Sequence, residues 1–184
     1  MIDGKFNMEI KYDLVDSVAI NYLCERGIRI RDAYDIKYDP KFLKDILDKI
    51  NIILSDGYRD GSPIYDIANR LKTGLVGIAD ITLKQALDIS RTEILGAASY
   101  SNYIKTKNSG YTKKQWLTAR DELVRPSHRE MEGKIIGTSD LWVFSDGHTL
   151  RYPGDFEGPD HHVVNCRCVE VIVFESHEFF MKDT

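Results

Sequence analysis

Residues 82–107 read TLKQALDISRTEILGAASYSNYIKTK and residues 166–174 read CRCVEVIVF, and these two stretches decide the fold class. Apolar and small side chains recur at every third or fourth position of the first stretch, which predicts one long helix. β-Branched residues dominate the second stretch, which predicts a strand.

Weaker patterns around the long helix complete the expected fold. Shorter helical patterns precede residue 82, and two of them open with the cap signatures Asp39-Pro40 and Ser62-Pro63. Residues 141–152 combine an apolar run with a turn signal and predict a hairpin. The sequence therefore predicts an α+β fold in which N-terminal helices, including one long helix, are followed by a small, mostly antiparallel β-sheet.

The chain of 184 residues is expected to hold one main domain with a helical extension. We predict a helical N-terminal region at residues 1–60, an α+β domain at residues 61–174 and a C-terminal tail at residues 175–184. Within the domain, periodicity leaves residues 111–119 open between a strand and a helix.

Composition excludes several classes of function. The net charge of −4 argues against a protein that coats nucleic acid without sequence preference. The basic segment 105–120 is interleaved with aromatic residues, so it predicts either a DNA contact or a solvated face. Its cations are Lys105, Lys107, Lys113, Lys114 and Arg120. Apolar runs stay shorter than the ~18 residues of a membrane span, and the N-terminus does not have the pattern of a signal peptide.

The cysteines Cys24, Cys166 and Cys168 are odd in number, which together with the expected lack of a signal peptide indicates a reducing compartment. Residues two apart on a strand share a face, so the thiols of Cys166 and Cys168 should project together and Arg167 should project away. Two neighbouring thiols could ligate zinc if other donors approached them. The alternative is that both cysteines are small buried hydrophobic residues.

Four side chains are candidate partners for these thiols: Asp121, His128, His161 and His162. Asp121 could ligate the metal, or it could orient the imidazole of His128 in a metal site or a general base. In the alternative interpretation, an Asp–Arg pair pins the loop and His128 satisfies a backbone carbonyl. The adjacent His161 and His162 are expected to be exposed loop residues.

The segment Arg91-Thr92-Glu93 places a polar cluster inside the long helix. One interpretation is a buried or half-buried ion pair that fixes how the helix docks. The other is a cleft in which Arg91 and Glu93 support transfer chemistry on NAD, although helical positions are unusual for such groups.

Taken in order, these patterns resemble the head-morphogenesis (Mu-F-like) domain of tailed-phage minor head proteins. The resemblance covers roughly residues 60 to 174. It is carried by ISRTE at 89–93, QWLT at 115–118, DELVRPSH at 121–128, EGK at 132–134, YPGD at 152–155 and VNCRC at 164–168. The structural positions of this motif set are Arg91, Thr92, Glu93, Trp116, Arg125, Pro153, Gly154, Asn165 and Arg167.

The resemblance implies a non-catalytic structural protein of a phage or prophage particle. Such a protein acts at the portal vertex in head assembly or genome delivery, with the portal or other head proteins as partners. It is assembled in the bacterial cytoplasm and remains in the virion. The resemblance also implies a metal, with zinc as the candidate, at His128, Cys166 and Cys168.

A metal-dependent hydrolase or nuclease is the alternative function. It would use His128, Cys166 and Cys168 as ligands and a metal-bound water as the nucleophile. Four protein ligands close a tetrahedral site, so this hypothesis requires that Asp121 does not ligate. No common catalytic motif is complete in the sequence.

Overall fold

The computed structural model describes residues 12–25 and 32–174. Its N-terminal half is built of four helices: α1 (Tyr12–Glu25), α2 (Leu43–Arg59), α3 (Ile64–Gly74) and α4 (Leu83–Asn108). Two short strands, β1 (Lys37–Tyr38) and β2 (Ala79–Asp80), pair antiparallel beside them. The predicted C-terminal tail at residues 175–184 lies outside the described residues.

Local capping explains where the helices begin. α4 opens with a capping box, in which the Thr82 hydroxyl accepts the backbone N–H of Gln85 and the Gln85 side chain accepts the backbone N–H of Thr82. Asp39 accepts the N–H of Lys41 at the start of a 3₁₀ turn, Pro40–Phe42, that leads into α2. Ser62, expected as the cap of α3, instead accepts a hydrogen bond from Arg70, and Pro63 occupies the cap position.

The four helices enclose one hydrophobic core, whose largest fully buried aliphatic side chains are Leu23, Ile46, Ile50, Leu54, Ile67 and Leu71. These residues come from both sides of residue 60, and α4 contacts α1, α2 and α3. The described part of residues 1–60 therefore packs directly on the rest of the chain. The division into segments 1–60 and 61–174 stays a prediction.

The C-terminal half carries the small antiparallel sheets that the sequence predicts. β3 (Lys113–Leu117) lies between β4 (Ile135–Gly137) and β7 (Val169–Val173) in one sheet, and β5 (Trp142–Val143) pairs with β6 (Thr149–Leu150) as a hairpin. The α+β class is confirmed, and the ambiguous segment 111–119 contains a strand. β7 begins at Val169 rather than at Cys166, so the cysteines lie on the segment that enters the strand.

A second, smaller core lies under these strands and positions the site. Its buried members are Trp116, Met131, Trp142, Phe144, Leu150, Cys166 and Cys168. Two short helices flank it, α5 (Pro126–Arg129) and α6 (Asp160–Val163). The cysteines are thus core residues and neighbours of candidate ligands at the same time.

Two cations of the basic segment 105–120 pair with carboxylates, and the DNA contact stays a prediction. Lys114 is buried and its Nζ lies 3.4 Å from Glu170 Oε2, because it shares the inward face of β3 with Trp116, two residues further on. Arg120 pairs with Glu132 at 2.8 Å. Within the described ranges, no helix combines the length and apolar character needed to cross a bilayer.

Candidate metal centre

Three potential ligand atoms meet in the second core. His128 lies on α5, and its Nδ1 is 3.4 Å from Cys168 Sγ and 3.7 Å from Cys166 Sγ. The Arg125 guanidinium donates hydrogen bonds to the carbonyl oxygens of His161 and Val164, which ties the start of α5 to the segment before the cysteines. Both sulfur atoms lie close to the same nitrogen of His128, so the two thiols project together, as the sequence predicts.

The geometry of this cluster fits a tetrahedral zinc ion. With Zn–N of about 2.0–2.1 Å and Zn–S of about 2.3 Å, the nitrogen and sulfur ligands lie about 3.6 Å apart. The distances from His128 to the two sulfur atoms bracket that value. A cavity of about 10 Å³ lies against the three residues, which is roughly the space of one water molecule or ion. The cluster could therefore hold one metal ion.

The pKa values of the two thiols are shifted in opposite directions. The hydrogen bond with Cys168 is the main reason that the pKa of Cys166 lies well below its usual value, and His128 lowers it further while burial opposes both. The same hydrogen bond, followed by burial, raises the pKa of Cys168. The lowered pKa of Cys166 favours its thiolate, the form of cysteine that binds metals.

A chain of imidazoles connects this cluster to the surface. His128 Nε2 lies 3.3 Å from Nδ1 of His162, and His162 Nε2 lies 2.9 Å from Oδ2 of Asp146, in the turn between β5 and β6. Burial is the main cause that lowers the pKa of His162, and the backbone N–H of His148 is the main cause that lowers the pKa of Asp146. This series of hydrogen bonds therefore joins the neutral imidazole of His162 to the ionised carboxylate of Asp146.

Sequence reasoning missed this connection. His162 was expected to be exposed in a loop, but it is 0% exposed because it follows Asp160 on α6 and packs against the ring of Phe144 at 4.1 Å. His161, its neighbour, points outward as expected. The segment Asp146-Gly147-His148 was interpreted only as a turn signal, although it carries two groups of the kind that bind metals.

The structure does not bring Asp121 into the cluster. Its two carboxylate oxygens accept hydrogen bonds from both terminal nitrogens of Arg167 at 2.5 and 2.6 Å. Arg167 projects away from the flanking thiols, so its partner Asp121 lies on the opposite side of the segment. His162, not Asp121, contacts the second ring nitrogen of His128. An Asp–Arg pair does pin the loop, with Arg167 as the arginine.

Asn165 connects the cysteine segment to α4. Its backbone N–H donates to the Thr92 hydroxyl at 2.9 Å, and its side-chain oxygen accepts from Arg91 at 3.2 Å. Its φ of +58° is a left-handed conformation, which asparagine tolerates better than most residues. Glu93 lies in the interior, 2% exposed, and accepts a hydrogen bond from the Tyr34 hydroxyl. Arg91, Thr92 and Glu93 therefore connect α4 to neighbouring segments through hydrogen bonds.

The Thr92→Val substitution is expected to lower the free energy of unfolding by about 1–3 kcal/mol, because it leaves the Asn165 N–H without its acceptor. The shape of the side chain is nearly unchanged. Thr92→Ser keeps the hydroxyl and is the matched control, with an expected loss below about 1 kcal/mol. Urea unfolding of both variants is the measurement. Equal stabilities would contradict the role assigned to this hydrogen bond.

The motif residues Trp116, Pro153 and Gly154 also pack around the second core and α4. Trp116 packs edge-to-face on His128, with ring centroids 5.5 Å apart. Gly154, next to the buried Pro153, has a φ of +76°. It lies against Gly96 of α4, and a Cβ built on Gly96 would lie 3.5 Å from the carbonyl oxygen of Gly154. The positive φ, and not a lack of space beside α4, favours glycine at position 154.

Comparison with known proteins decides the family. The sequence pattern of the family described as "Phage Mu protein F like protein" matches residues 48–171, more than half of the chain. The chain belongs to the phage Mu protein F like family. Members of this family are phage head morphogenesis proteins, which agrees with the resemblance drawn from the motifs.

Two curated relatives of this Mu F-like chain are much longer proteins. One, from Haemophilus influenzae and described as "Uncharacterized protein", is 27% identical over 138 residues, covering 75% of this chain and 27% of the relative. The other, "NAD(+)--arginine ADP-ribosyltransferase EFV" from Enterococcus faecalis, is 32% identical over 100 residues, covering 52% of this chain and 20% of the relative. The chain thus spans between a fifth and just over a quarter of their lengths. No solved structure matches.

Proposed function

We propose that this Mu F-like chain is a minor head protein that acts at the portal vertex of a tailed phage or prophage, in head assembly or genome delivery, without catalysis. The family match over residues 48–171 carries this proposal. The protein is assembled in the host bacterial cytoplasm and stays in the virion. Its partners are the portal or other head proteins.

We propose zinc as the ion held by His128, Cys166 and Cys168. The ligand distances and the small cavity support this assignment, as does the preference of zinc for thiolate and imidazole ligands. The ion would join α5 to the segment that enters β7, two parts of the chain about forty residues apart. Its role is to stabilise the second core, because the three ligands are buried.

The helical half is the part of the chain that we propose docks on a head protein. Large apolar side chains are exposed there, including Ile52 on α2 and Tyr65 on α3.

Incorporation into particles tests the proposed function. In the phage or prophage that encodes the chain, we expect quantitative mass spectrometry of purified heads to find it in few copies, fractionating with the portal. Ile52→Asp should abolish incorporation, whereas the matched control Val143→Asp, an equally exposed residue (60% and 59%) on the β half, should not. Absence of the wild-type chain from heads would overturn the proposal, and equal incorporation of the two variants would overturn docking through α2.

A metal-dependent hydrolase is the second candidate, and one observation favours it. Among the described residues, the cluster offers three protein ligands, and three ligands with an open position are typical of catalytic zinc. The adjacent cavity of about 10 Å³ leaves little room for a substrate. Metal-dependent cleavage of a phosphodiester by the purified chain, lost in His128→Ala, would favour this candidate over the structural one.

A further inference from the structure

A second group of potential ligands lies at the surface, beyond the buried cluster. It surrounds Asp146, in the turn between β5 and β6. His148 Nδ1 lies 3.3 Å from Asp146 Oδ1, and the Nε2 atoms of His161 and His162 lie 3.1 and 2.9 Å from Oδ2. Three imidazoles from a turn and a short helix thus converge on one carboxylate.

These distances fit a bound transition metal. Nitrogen and oxygen ligands at about 2.0–2.2 Å from a tetrahedral zinc ion lie about 3.3–3.5 Å from one another, so the observed separations need to open by only a few tenths of an ångström. Imidazole ligands select zinc, nickel or copper over magnesium or calcium. His148 and His161 are about half exposed, so holding their rings together around Asp146 costs side-chain entropy that a bound ion would offset.

We propose that Asp146, His148 and His161 form a second site, for a divalent transition-metal cation such as zinc or nickel. The site is independent of the proposed head function and shares no ligand with the buried cluster. It faces solvent, so water completes the coordination of the ion.

Proton positions explain why His162 is a positioning residue and not a ligand when the buried cluster holds a metal. A metal on Nδ1 of His128 leaves the proton of that neutral ring on Nε2, which then donates to Nδ1 of His162. Neutral His162 must carry its own proton on Nε2, and it donates that proton to Asp146. His162 therefore holds Asp146 in place, and this part of the inference rests on the proposed buried metal.

Calorimetric titration with Zn²⁺ tests the second site. With the full chain purified in the presence of zinc and desalted without chelator, we expect one further equivalent to bind. His161→Asn should weaken that equivalent at least tenfold, because one of three ligands is lost. Asp146→Asn removes another of the three ligands and should weaken that equivalent likewise. Asp140→Asn is its matched control, since Asp140 is an exposed turn aspartate that accepts a backbone N–H from Gly137. Asp140→Asn should leave the titration unchanged.

Cobalt separates the two sites without a mutation in the buried core. Co²⁺ bound by thiolates gives strong sulfur-to-metal charge-transfer absorption, whereas Co²⁺ at Asp146, His148 and His161 gives only weak bands. We expect one equivalent of each kind, and only the weak bands should disappear in His161→Asn. A single thiolate-type equivalent, or titrations that are identical in wild type and His161→Asn, would overturn the second site. Loss of the thiolate signal alone would count against the proposed buried zinc and leave the second site standing.

Discussion

Cys166→Ser is expected to remove the zinc ion proposed for this site and to lower the free energy of unfolding by about 4 kcal/mol, the contribution of a ligand present at about a thousand times its dissociation constant. The hydroxyl of serine is a poor ligand for zinc, and the remaining His128 and Cys168 cannot hold the ion alone. Chelation of the wild-type protein should produce a loss of the same size. Elemental mass spectrometry and urea unfolding, with and without chelator, are the measurements.

The chain provides a matched control in Cys24. This thiol is exposed, and it contacts the Ser55 hydroxyl at 3.2 Å, a contact that serine can keep. Cys24→Ser should therefore change stability by no more than about 0.5 kcal/mol and leave the metal content unchanged. A wild-type protein that carries no more metal than the Cys166→Ser variant would refute zinc at this site and leave Cys166 and Cys168 as ordinary core residues.

Breaking the buried ion pair between Lys114 and Glu170 is expected to have a comparable effect. Both side chains are fully buried; burial is the main cause that lowers the pKa of Lys114 and raises the pKa of Glu170. Glu170→Gln leaves the Lys114 ammonium without its counter-charge, and we expect a loss of about 3–5 kcal/mol. Urea unfolding of the variant at neutral pH is the measurement.

A double-mutant cycle distinguishes the loss of the pair from the loss of packing. Lys114→Met should destabilise by a similar amount, whereas the double variant Lys114→Met with Glu170→Gln should be more stable than either single variant. The glutamine still accepts the indole N–H of Trp142. Lys44→Met, which breaks the exposed pair with Asp48, is the matched control and should cost at most about 1 kcal/mol. Additive effects in the cycle would show that the two charges do not depend on each other.

Two adjacent lysines, one exposed and one buried, show what the local sequence pattern does not predict. Lys113 and Lys114 are adjacent and identical in type, and the sequence placed both on a basic face. Strand alternation turns one outward and the other inward, but only after the strand assignment is known. The partner of Lys114 is 56 residues away on β7, so its burial depends on how β3 and β7 pair.

The candidate metal ligands were also predicted only in part. The Cys-Arg-Cys spacing alone indicated that the thiols would lie together, because side-chain direction is a property of adjacent residues. His128 entered through the resemblance to phage head proteins. Asp121 was expected beside His128, but His162 occupies that place and Asp121 pairs with Arg167. Which of the two reaches His128 depends on which loops meet in the second core.

The sequence by itself determined the α+β order, the long helix over about 82–107, the strand at β7 and the joint projection of Cys166 and Cys168. These features depend on side-chain periodicity and on hydrogen bonds between residues at most a few positions apart. The tertiary structure alone decided that Lys114 and His162 are buried, that Asp121 binds Arg167 and that three histidines surround Asp146. Each of these depends on contacts between segments far apart in the chain, and no local pattern specifies which distant segments pack together.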